Sequence, residues 1–447
     1  MRTVIVGAGP TGLFTAITLA RRGHDTDIVI VDRDPGPSET ATWNRRGVMQ
    51  FHQAHTFRAP AVAALGTEMP SVLDALTTVG AEIVTADGGD PIALLCRRAL
   101  LERVLRRYAQ AQPRITFVVG HVDEVLAERG RVTGIAVQGR RLAAGLVIDA
   151  SGRASRVMRA LRGAGDGAPC GAAYVSRQYR LLDGAERGPV NSPIGLSLGF
   201  PGYFAVVFPH DNRTFSITIT HDGTDPRVRR LRYTGVFEAA VRAIPQVADW
   251  IAPGRATPIT PVLPGGQLYN SYRGQLDEAG RPVLGGLVAV GDAVCTTTPL
   301  AGRGVALAFP QAAELVRLLG RHPDDLATAT VAFELWCTTN IRPWFDDHVR
   351  CDTDRMRRWA GGDIDLSRPL PSDLIVAAAA ADPALRPLVG PYDSMQALPD
   401  SLTVLQASAR TVYESGWRPT VPDGPSRAEL GELCTVVWCS PSPTCHR

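Results

Sequence analysis

Chemistry in this sequence is concentrated where glycine and aspartate follow short apolar runs. Gly7-Ala8-Gly9-Pro10-Thr11-Gly12 comes directly after the apolar run Thr3–Val6, and Asp32 stands twenty residues beyond Gly12. That is the spacing of a dinucleotide-binding βαβ unit. The first glycine permits a tight turn, the second lets the backbone approach a pyrophosphate, and the third lets helix and strand pack closely. The helix that follows offers free N–H groups to the anion, and Asp32 is placed to accept hydrogen bonds from ribose hydroxyls. Two later apolar strands also end in aspartate. One is Leu146-Val-Ile-Asp149-Ala-Ser-Gly152. The other is Gly286-Leu-Val-Ala-Val-Gly291-Asp292, which continues to Pro299-Leu-Ala-Gly302-Arg-Gly304-Val305. Open α/β sheets bind ligands at such strand ends. Taken singly, an aspartate there is as often a turn former or a helix cap.

These groups need a scaffold to position them. Leu13–Arg22 has apolar residues at helical spacing, and Asp25–Val31 reads as a second strand. Ala59–Thr78 is predicted helical, and Glu82–Thr85 and Ile92–Cys96 are predicted as strands of an insertion. Arg98–Gln110 is a long amphipathic helix, Ile115–Val119 a strand, 122–138 a β-meander and Leu142–Ile148 a buried strand. From Gly171 the pattern changes. Tyr174–Arg180, Ile194–Phe200, Tyr203–Phe208 and Thr214–Thr220 are rich in β-branched and aromatic residues and read as an antiparallel sheet. Val236–Ile244 is helical and Pro282–Val290 returns to a buried strand. Gly304–Leu319 is a helix that Pro310 is expected to kink. Pro323 to about Leu405 is mostly helical, and the Pro-rich end after Trp417 is expected to be poorly ordered.

Composition bounds the possibilities. A chain of 447 residues holds two or three domains, and 45% hydrophobic with 20% charged residues is the balance of a soluble globular protein. A net charge of +3 gives no argument for nucleic acid or membrane partners. No apolar run is long enough to span a bilayer, and the chain begins with a strand rather than a signal peptide, so a cytoplasmic location is expected. The eight cysteines form no disulfide framework. The tail Cys434-x4-Cys439-x5-Cys445-His446 fits no usual zinc spacing, so free thiols and no metal are expected. There is no lysine: all 47 basic residues are arginine, which excludes Schiff-base chemistry.

With its three Gly/Asp motifs in this order, the chain resembles the FAD-dependent monooxygenases of the aromatic-hydroxylase type, with the related epoxidases, flavin halogenases and geranylgeranyl reductases. The resemblance covers residues 1 to about 320. It implies an α/β fold in which a Rossmann-like FAD-binding domain (1–78, 98–165, 276–322) is interleaved with an antiparallel β-sheet substrate domain (79–97, 166–275), plus a helical C-terminal region (323–447). Gly7, Gly9, Pro10, Thr11, Gly12, Asp32 and Arg33 would hold the ADP half of FAD. Arg45 (in Arg-x-Gly-Val) and Arg98 (in Arg-x-x-Leu-Glu) match FAD-contacting arginines, and Val122 matches the backbone that meets the adenine. Asp149, Gly291 and Asp292 would border the cofactor, and Pro299, Gly302, Gly304 and Val305 would run along the flavin ring. The implied activity is hydroxylation or epoxidation of a small organic substrate by O2 through a flavin hydroperoxide. NAD(P)H would be the electron donor, directly or through a separate flavin reductase.

The departures from the family are informative. Asp149-Ala-Ser-Gly152 is closer to the epoxidase and halogenase branch than the Asp-Gly of aromatic hydroxylases. Halogenases carry a catalytic lysine, which this chain lacks. Tyr203 and Phe208-Pro209 echo the reductases, without their tryptophan, which leaves an FAD-dependent reductase or dehydrogenase as the alternative. A flavoprotein-fold binding protein without catalysis would show degraded FAD motifs, and all three are intact. For substrate contact or proton delivery, His52 and His55 follow Arg45 closely; the competing reading is a capping or solvent-facing pair. Arg177, Tyr179, Tyr203 and His210 lie on the predicted second sheet, where strand alternation lets only half face the flavin. Cys295 is read as packing.

Overall fold

The computed structural model describes residues 2–23, 27–38, 43–45, 47–86, 88–162, 165–266 and 268–439. At its centre is a five-stranded parallel sheet in the order Leu287–Ala289, Leu146–Asp149, Arg2–Val6, Asp27–Asp32, Ile115–Val119. All four pairings are parallel, and Val6 stands opposite both Val31 and Asp149. Strands covered on both faces have no solvent side, which is why these segments are nearly continuous apolar runs rather than alternating ones. The helices Pro10–Arg21, Arg98–Gln110 and Gly304–Arg321 contribute Leu13, Leu101, Phe309 and their neighbours to one core with the sheet. Phe14 stacks on Phe309 with centroids 4.4 Å apart.

The second sheet is antiparallel, with Leu196–Phe200, Tyr203–Pro209, Thr214–His221, Ala173–Leu181 and Ala256–Pro258 in that order, and Leu263–Gly265 also pairs with Ala173–Leu181. Its outer face carries Val175, Tyr179, Tyr203, Val207, Phe215 and Ile217 into a separate core, covered by the helix Thr234–Arg242. Its inner face turns toward the parallel sheet.

Several elements differ from the sequence expectations. The predicted helix Ala59–Thr78 is two helices, Ala59–Glu68 and Pro70–Thr78, because Pro70 cannot donate a backbone N–H and constrains Met69 before it. The predicted strand Leu142–Ile148 divides into Arg140–Ala143, the third strand of the meander, and Leu146–Asp149. Of Pro282–Val290 only Leu287–Ala289 is strand, since Gly286 sits at φ +80° against the Gly145 carbonyl. Pro310 lies inside an uninterrupted helix, Gly304–Arg321.

The largest correction concerns the C-terminus. Arg427–Cys439, in the stretch expected to be poorly ordered, is a helix with Leu430 and Cys434 fully buried in the second core. The Tyr203 hydroxyl donates to Pro425 O at 2.5 Å, and Tyr203 stacks on Phe200 at 4.4 Å. An aromatic sheet face needs a cover, and these residues supply it. Cys445 and His446 lie outside the described residues. Cys96, Cys170, Cys295, Cys337, Cys351 and Cys434 are free, and among the described residues no cluster could hold a metal and no helix is long and apolar enough to cross a membrane. Leu430→Ala is expected to destabilise the protein by about 2–5 kcal/mol, read as a lower urea midpoint, with cofactor absorbance unchanged.

Candidate active site

The three motifs meet at the carboxyl edge of the parallel sheet. Gly7 N–H donates to Val31 O at 2.8 Å, Ala150 N–H to Val6 O at 2.9 Å, and Val290 N–H to Asp149 O at 3.0 Å. Gly7 takes φ +107°, and a Cβ there would collide with Ala150 O; a Cβ on Gly12 would overlap the Gly7 carbonyl. Gly9 is different. A Cβ on it would meet nothing nearer than Arg45 Nη1 at 3.9 Å, so its backbone faces open space. Gly9, Pro10 and Thr11 open the helix Pro10–Arg21, and no side chain caps it. The helix Gly304–Arg321 is likewise uncapped, after Gly302 in the left-handed region at φ +65°. Both helix starts line one cavity of about 750 Å³. Two free helix N-termini facing one concave space suit a group with a pyrophosphate and a second, electron-rich end, so the residues present fit FAD.

Of the cofactor residues inferred from sequence, Gly7, Gly9, Pro10, Thr11, Asp32, Arg33, Arg45, Arg98, Val122, Asp292, Pro299, Gly302, Gly304 and Val305 all border this cavity. Gly12, Asp149 and Gly291 lie behind it. Gly12 supplies close helix packing. Asp149 is fully buried and accepts from Ser151 N (3.0 Å), Ser151 Oγ (2.6 Å) and Ser155 Oγ, which makes it the former of the Ala150–Ala154 turn. Gly291 packs against Thr11 at φ +68°, with its N–H donating to Gln311 Oε1. Asp292 is held above the usual carboxylate range by burial, opposed by the positive charges of Arg98 and Arg153.

A residue without a role in the sequence reading organises the arginines. Glu102, fully buried, accepts from Arg45 Nη1 at 2.6 Å and from Arg98 Nε at 2.5 Å. Arg45 also donates to Asp32 Oδ2 at 2.7 Å and Ala8 O at 3.0 Å. Burial disfavours the Arg45 charge, yet Glu102 and then Asp32 raise its pKa, so the guanidinium stays charged. Asp32 is thus oriented by Arg45 and by Ala8 N–H at 2.6 Å. The signal was the glutamate of Arg98-x-x-Leu-Glu102, at i,i+4 on the helix.

Strand alternation decides the fate of the second-sheet candidates. Along Tyr203–Pro209, Phe204, Val206 and Phe208 line the cavity, while Tyr203 points to the outer core. Tyr179 points the same way, and Arg177 pairs with Glu238 at 2.6 Å on that face. His210 is sealed, with its Nε2 bonded to Ser216 Oγ at 2.7 Å, and does not reach the cavity. The inner face instead presents Tyr174, Ser176, Thr218 and Thr220. His52 stays off the cavity, edge-on to Phe51, while its carbonyl accepts from Gln178 Nε2 at 2.9 Å. Of the four catalytic candidates, His55 alone borders the cavity. Burial, then the Arg98 cation, pushes its imidazole down to about 3. Its Nδ1 lies 2.9 Å from Gln53 O, a group that only accepts, so Nδ1 carries the proton and Nε2 is a lone-pair acceptor.

The C-terminal helices complete the site. Arg303, in the loop along the cavity, donates to Asp347 Oδ2 (3.0 Å) and Tyr392 Oη (2.8 Å), and its guanidinium lies 4.6 and 4.9 Å from the ring centroids of Trp344 and Tyr392. Asp347 also accepts from Tyr392 Oη at 2.7 Å and from Ser372 Oγ. A region without a role in the sequence reading therefore fixes the loop Pro299–Gly304 from behind.

Comparison with known proteins agrees with this geometry. The family model described as FAD dependent oxidoreductase matches residues 2–117, and that described as tryptophan halogenase matches residues 87–165. Kynurenine 3-monooxygenase of Salinispora tropica is 28% identical over 363 residues, covering 74% of this chain and 75% of that one. Among solved structures, pqsL, a probable FAD-dependent monooxygenase from Pseudomonas aeruginosa, superposes with a TM-score of 0.60 at 17% identity, over 81% of this chain and 98% of its own. A triple mutant of the flavin-dependent brominase Bmp2 gives 0.61 at 15% identity, over 93% and 98%. At these identities the structural likeness speaks for the fold.

Glu102→Gln is expected to release bound flavin on gel filtration and to destabilise the protein by about 3–5 kcal/mol, because two guanidiniums lose their shared counter-charge in a buried place. A second expectation concerns pH. Burial pushes His210 down to about 4, against about 6.5 for a free imidazole. Below pH ~6.5 the unfolded chain takes up a proton that the folded chain refuses until about 4. Stability is therefore full above pH ~6.5 and falls as pH drops toward 4, by about 1.4 kcal/mol per pH unit from this one group. Denaturant midpoints at neutral and mildly acidic pH, compared between the native chain and His210→Gln, measure it; the variant should show the shallower fall.

Proposed function

Because the chain belongs to the FAD-dependent monooxygenase superfamily, we propose that it hydroxylates or epoxidises a small organic substrate with O2. The observation that carries this reading is a shared cavity, with two uncapped helix N-termini on one side and the inner face of an antiparallel sheet on the other. FAD, when bound, supplies the activation of oxygen. The remaining work belongs to the chain. Asp32 would accept from the ribose, Arg45 and Arg98 would meet the phosphates, and the Val122 backbone would meet the adenine. Asp292 and Pro299–Gly304 would border the flavin, and the dipole of Gly304–Arg321 would favour negative charge there.

Phe204, Val206 and Phe208, with Tyr174, form an apolar wall that would hold the substrate and exclude water. His55, held neutral by burial, would present Nε2 to the substrate as a hydrogen-bond acceptor. We assign cofactor binding to segments 1–78, 98–165 and 276–322, substrate positioning to 79–97 and 166–275, and closure of the cavity to 323–447. NAD(P)H is proposed as electron donor, directly or through a separate reductase, and the site of action as the cytoplasm. Halogenation is not proposed, since the chain has no lysine.

The test is turnover of flavin-loaded protein with a reductant and isotopically labelled O2. L-kynurenine is the first candidate, from the named activity of the Salinispora relative. A product carrying one labelled oxygen atom is the expected result. A reduced product formed without O2 would instead make the chain a reductase. His55→Phe should slow turnover about tenfold with flavin binding intact, as expected for loss of one positioned hydrogen-bond acceptor.

A further inference from the structure

Arg303 brings a positive charge to the cavity wall at the start of the helix Gly304–Arg321, and three C-terminal helices meet that charge. Asp347 comes from Arg342–Trp359, Ser372 opens Ser372–Ala378, and Tyr392 lies next to the end of Arg386–Asp393. The Asp347 side chain is 0% exposed. Its Oδ2 accepts from Arg303 Nη1 at 3.0 Å and from Tyr392 Oη at 2.7 Å, and its Oδ1 accepts from Ser372 Oγ, with Cys351 Sγ at 3.9 Å. Each of these neighbours is a donor, the surroundings of a carboxylate rather than of a carboxylic acid. Burial works against the Arg303 charge, but Tyr392 and Asp347 raise its pKa above the ordinary arginine value. The two groups are therefore an ion pair.

The pair is neutral as a whole and uneven in position. Arg303 borders the cavity and Asp347 does not, so the cavity meets the positive end first. The other ionisable groups at this corner are occupied. His348, which also borders the cavity, is held neutral by burial and then by the Arg303 and Arg355 cations. Asp352 pairs with Arg355 at 2.6 Å, Asp373 with Arg358 at 2.7 Å, and Arg58 donates to the Asp393 carbonyl. Arg350 lies 3.9 Å from Asp347 with its side chain 64% exposed, where water screens it. A loop anchor could be made from neutral groups without the desolvation cost of two buried ions, and buried pairs of this kind add little net stability. What such a pair does supply is a fixed local field.

We propose that Asp347 is a positioning residue for flavin reduction: by holding Arg303 at the cavity wall and partly cancelling its charge, it sets how strongly the cavity favours the reduced cofactor. Uptake of two electrons and one proton from the donor adds one negative charge to a flavin, so a nearby cation favours reduction and a nearby anion opposes it. Removal of one partner or the other then moves the reduction equilibrium in opposite directions. This rests on the reading of the cavity as the FAD site, and it holds whether or not oxygen is transferred to a substrate.

The experiment is an anaerobic dye-equilibrium titration of the flavin-loaded protein at about pH 8, where Asp347 keeps its charge without Arg303. Dithionite supplies the electrons, and the native chain is compared with Asp347→Asn, Arg303→Gln and the double variant. Unit charges about 10 Å apart, at the effective dielectric of about 20 found in proteins, shift an equilibrium about tenfold. At a fixed potential the ratio of reduced to oxidised flavin should therefore rise about tenfold in Asp347→Asn and fall about tenfold in Arg303→Gln. The double variant should return close to the native ratio. If Asp347→Asn does not hold flavin, Arg303→Gln and Arg303→Lys decide: Arg303→Lys should keep the native ratio and Arg303→Gln should lower it. Shifts in one direction in both single variants, as a loosened loop alone gives, overturn the proposal. So does no shift in either, or an equal shift in Arg303→Lys and Arg303→Gln. A native chain that takes up no flavin overturns the FAD reading, and this proposal with it.

Discussion

The approach of Gly12 to the Gly7 carbonyl is the constraint on which the site depends. It draws the helix Pro10–Arg21 against the strand Arg2–Val6 so closely that no side chain fits between them. That leaves Gly9 and Thr11 facing open space beside the ends of three parallel strands. Strand ends and helix starts converge because the strands are parallel and each crossover brings the chain back to the same edge. Backbone amides, which cost no side-chain entropy to position, then become the anion-facing surface.

Charge is arranged around that surface with little slack. Glu102 holds two guanidiniums from inside the core, and Arg45 passes the constraint on to Asp32. Across the cavity, Asp347 does the same for Arg303 with Tyr392 and Ser372. Both are buried carboxylates with several donors each. Such groups contribute little net stability but tolerate few alternative arrangements, which suits residues that must be in place before a cofactor arrives. The C-terminal helices are therefore part of the active-site architecture, although the motifs of the fold end near residue 320.

The second sheet shows how the same principle both guides and limits sequence reading. Alternation along Tyr203–Pro209 and Thr214–His221 is visible in the residue types. Which phase faces the cavity is not, because aromatic and β-branched residues occur in both. The hydroxyls of Tyr203 and Tyr179 are spent on Pro425 O and Glu238. The C-terminal helix Arg427–Cys439 explains the choice, since it lies over the face that a local reading left exposed.

By itself, the sequence determined the βαβ unit, the order of the three motifs, the parallel-plus-antiparallel architecture and the exclusion of lysine chemistry. These follow from local periodicity and from backbone requirements that only glycine meets, so they survive without tertiary information. The tertiary structure alone decided that Asp149 shapes a turn behind the cavity, that His55 and not His52, Tyr203 or His210 borders it, and that Glu102 and Arg303 hold its walls. It also decided that residues beyond 320 line the cavity. Each of these depends on which face of an element meets another, far along the chain. That is settled by packing the whole core at once, and no window of sequence contains it.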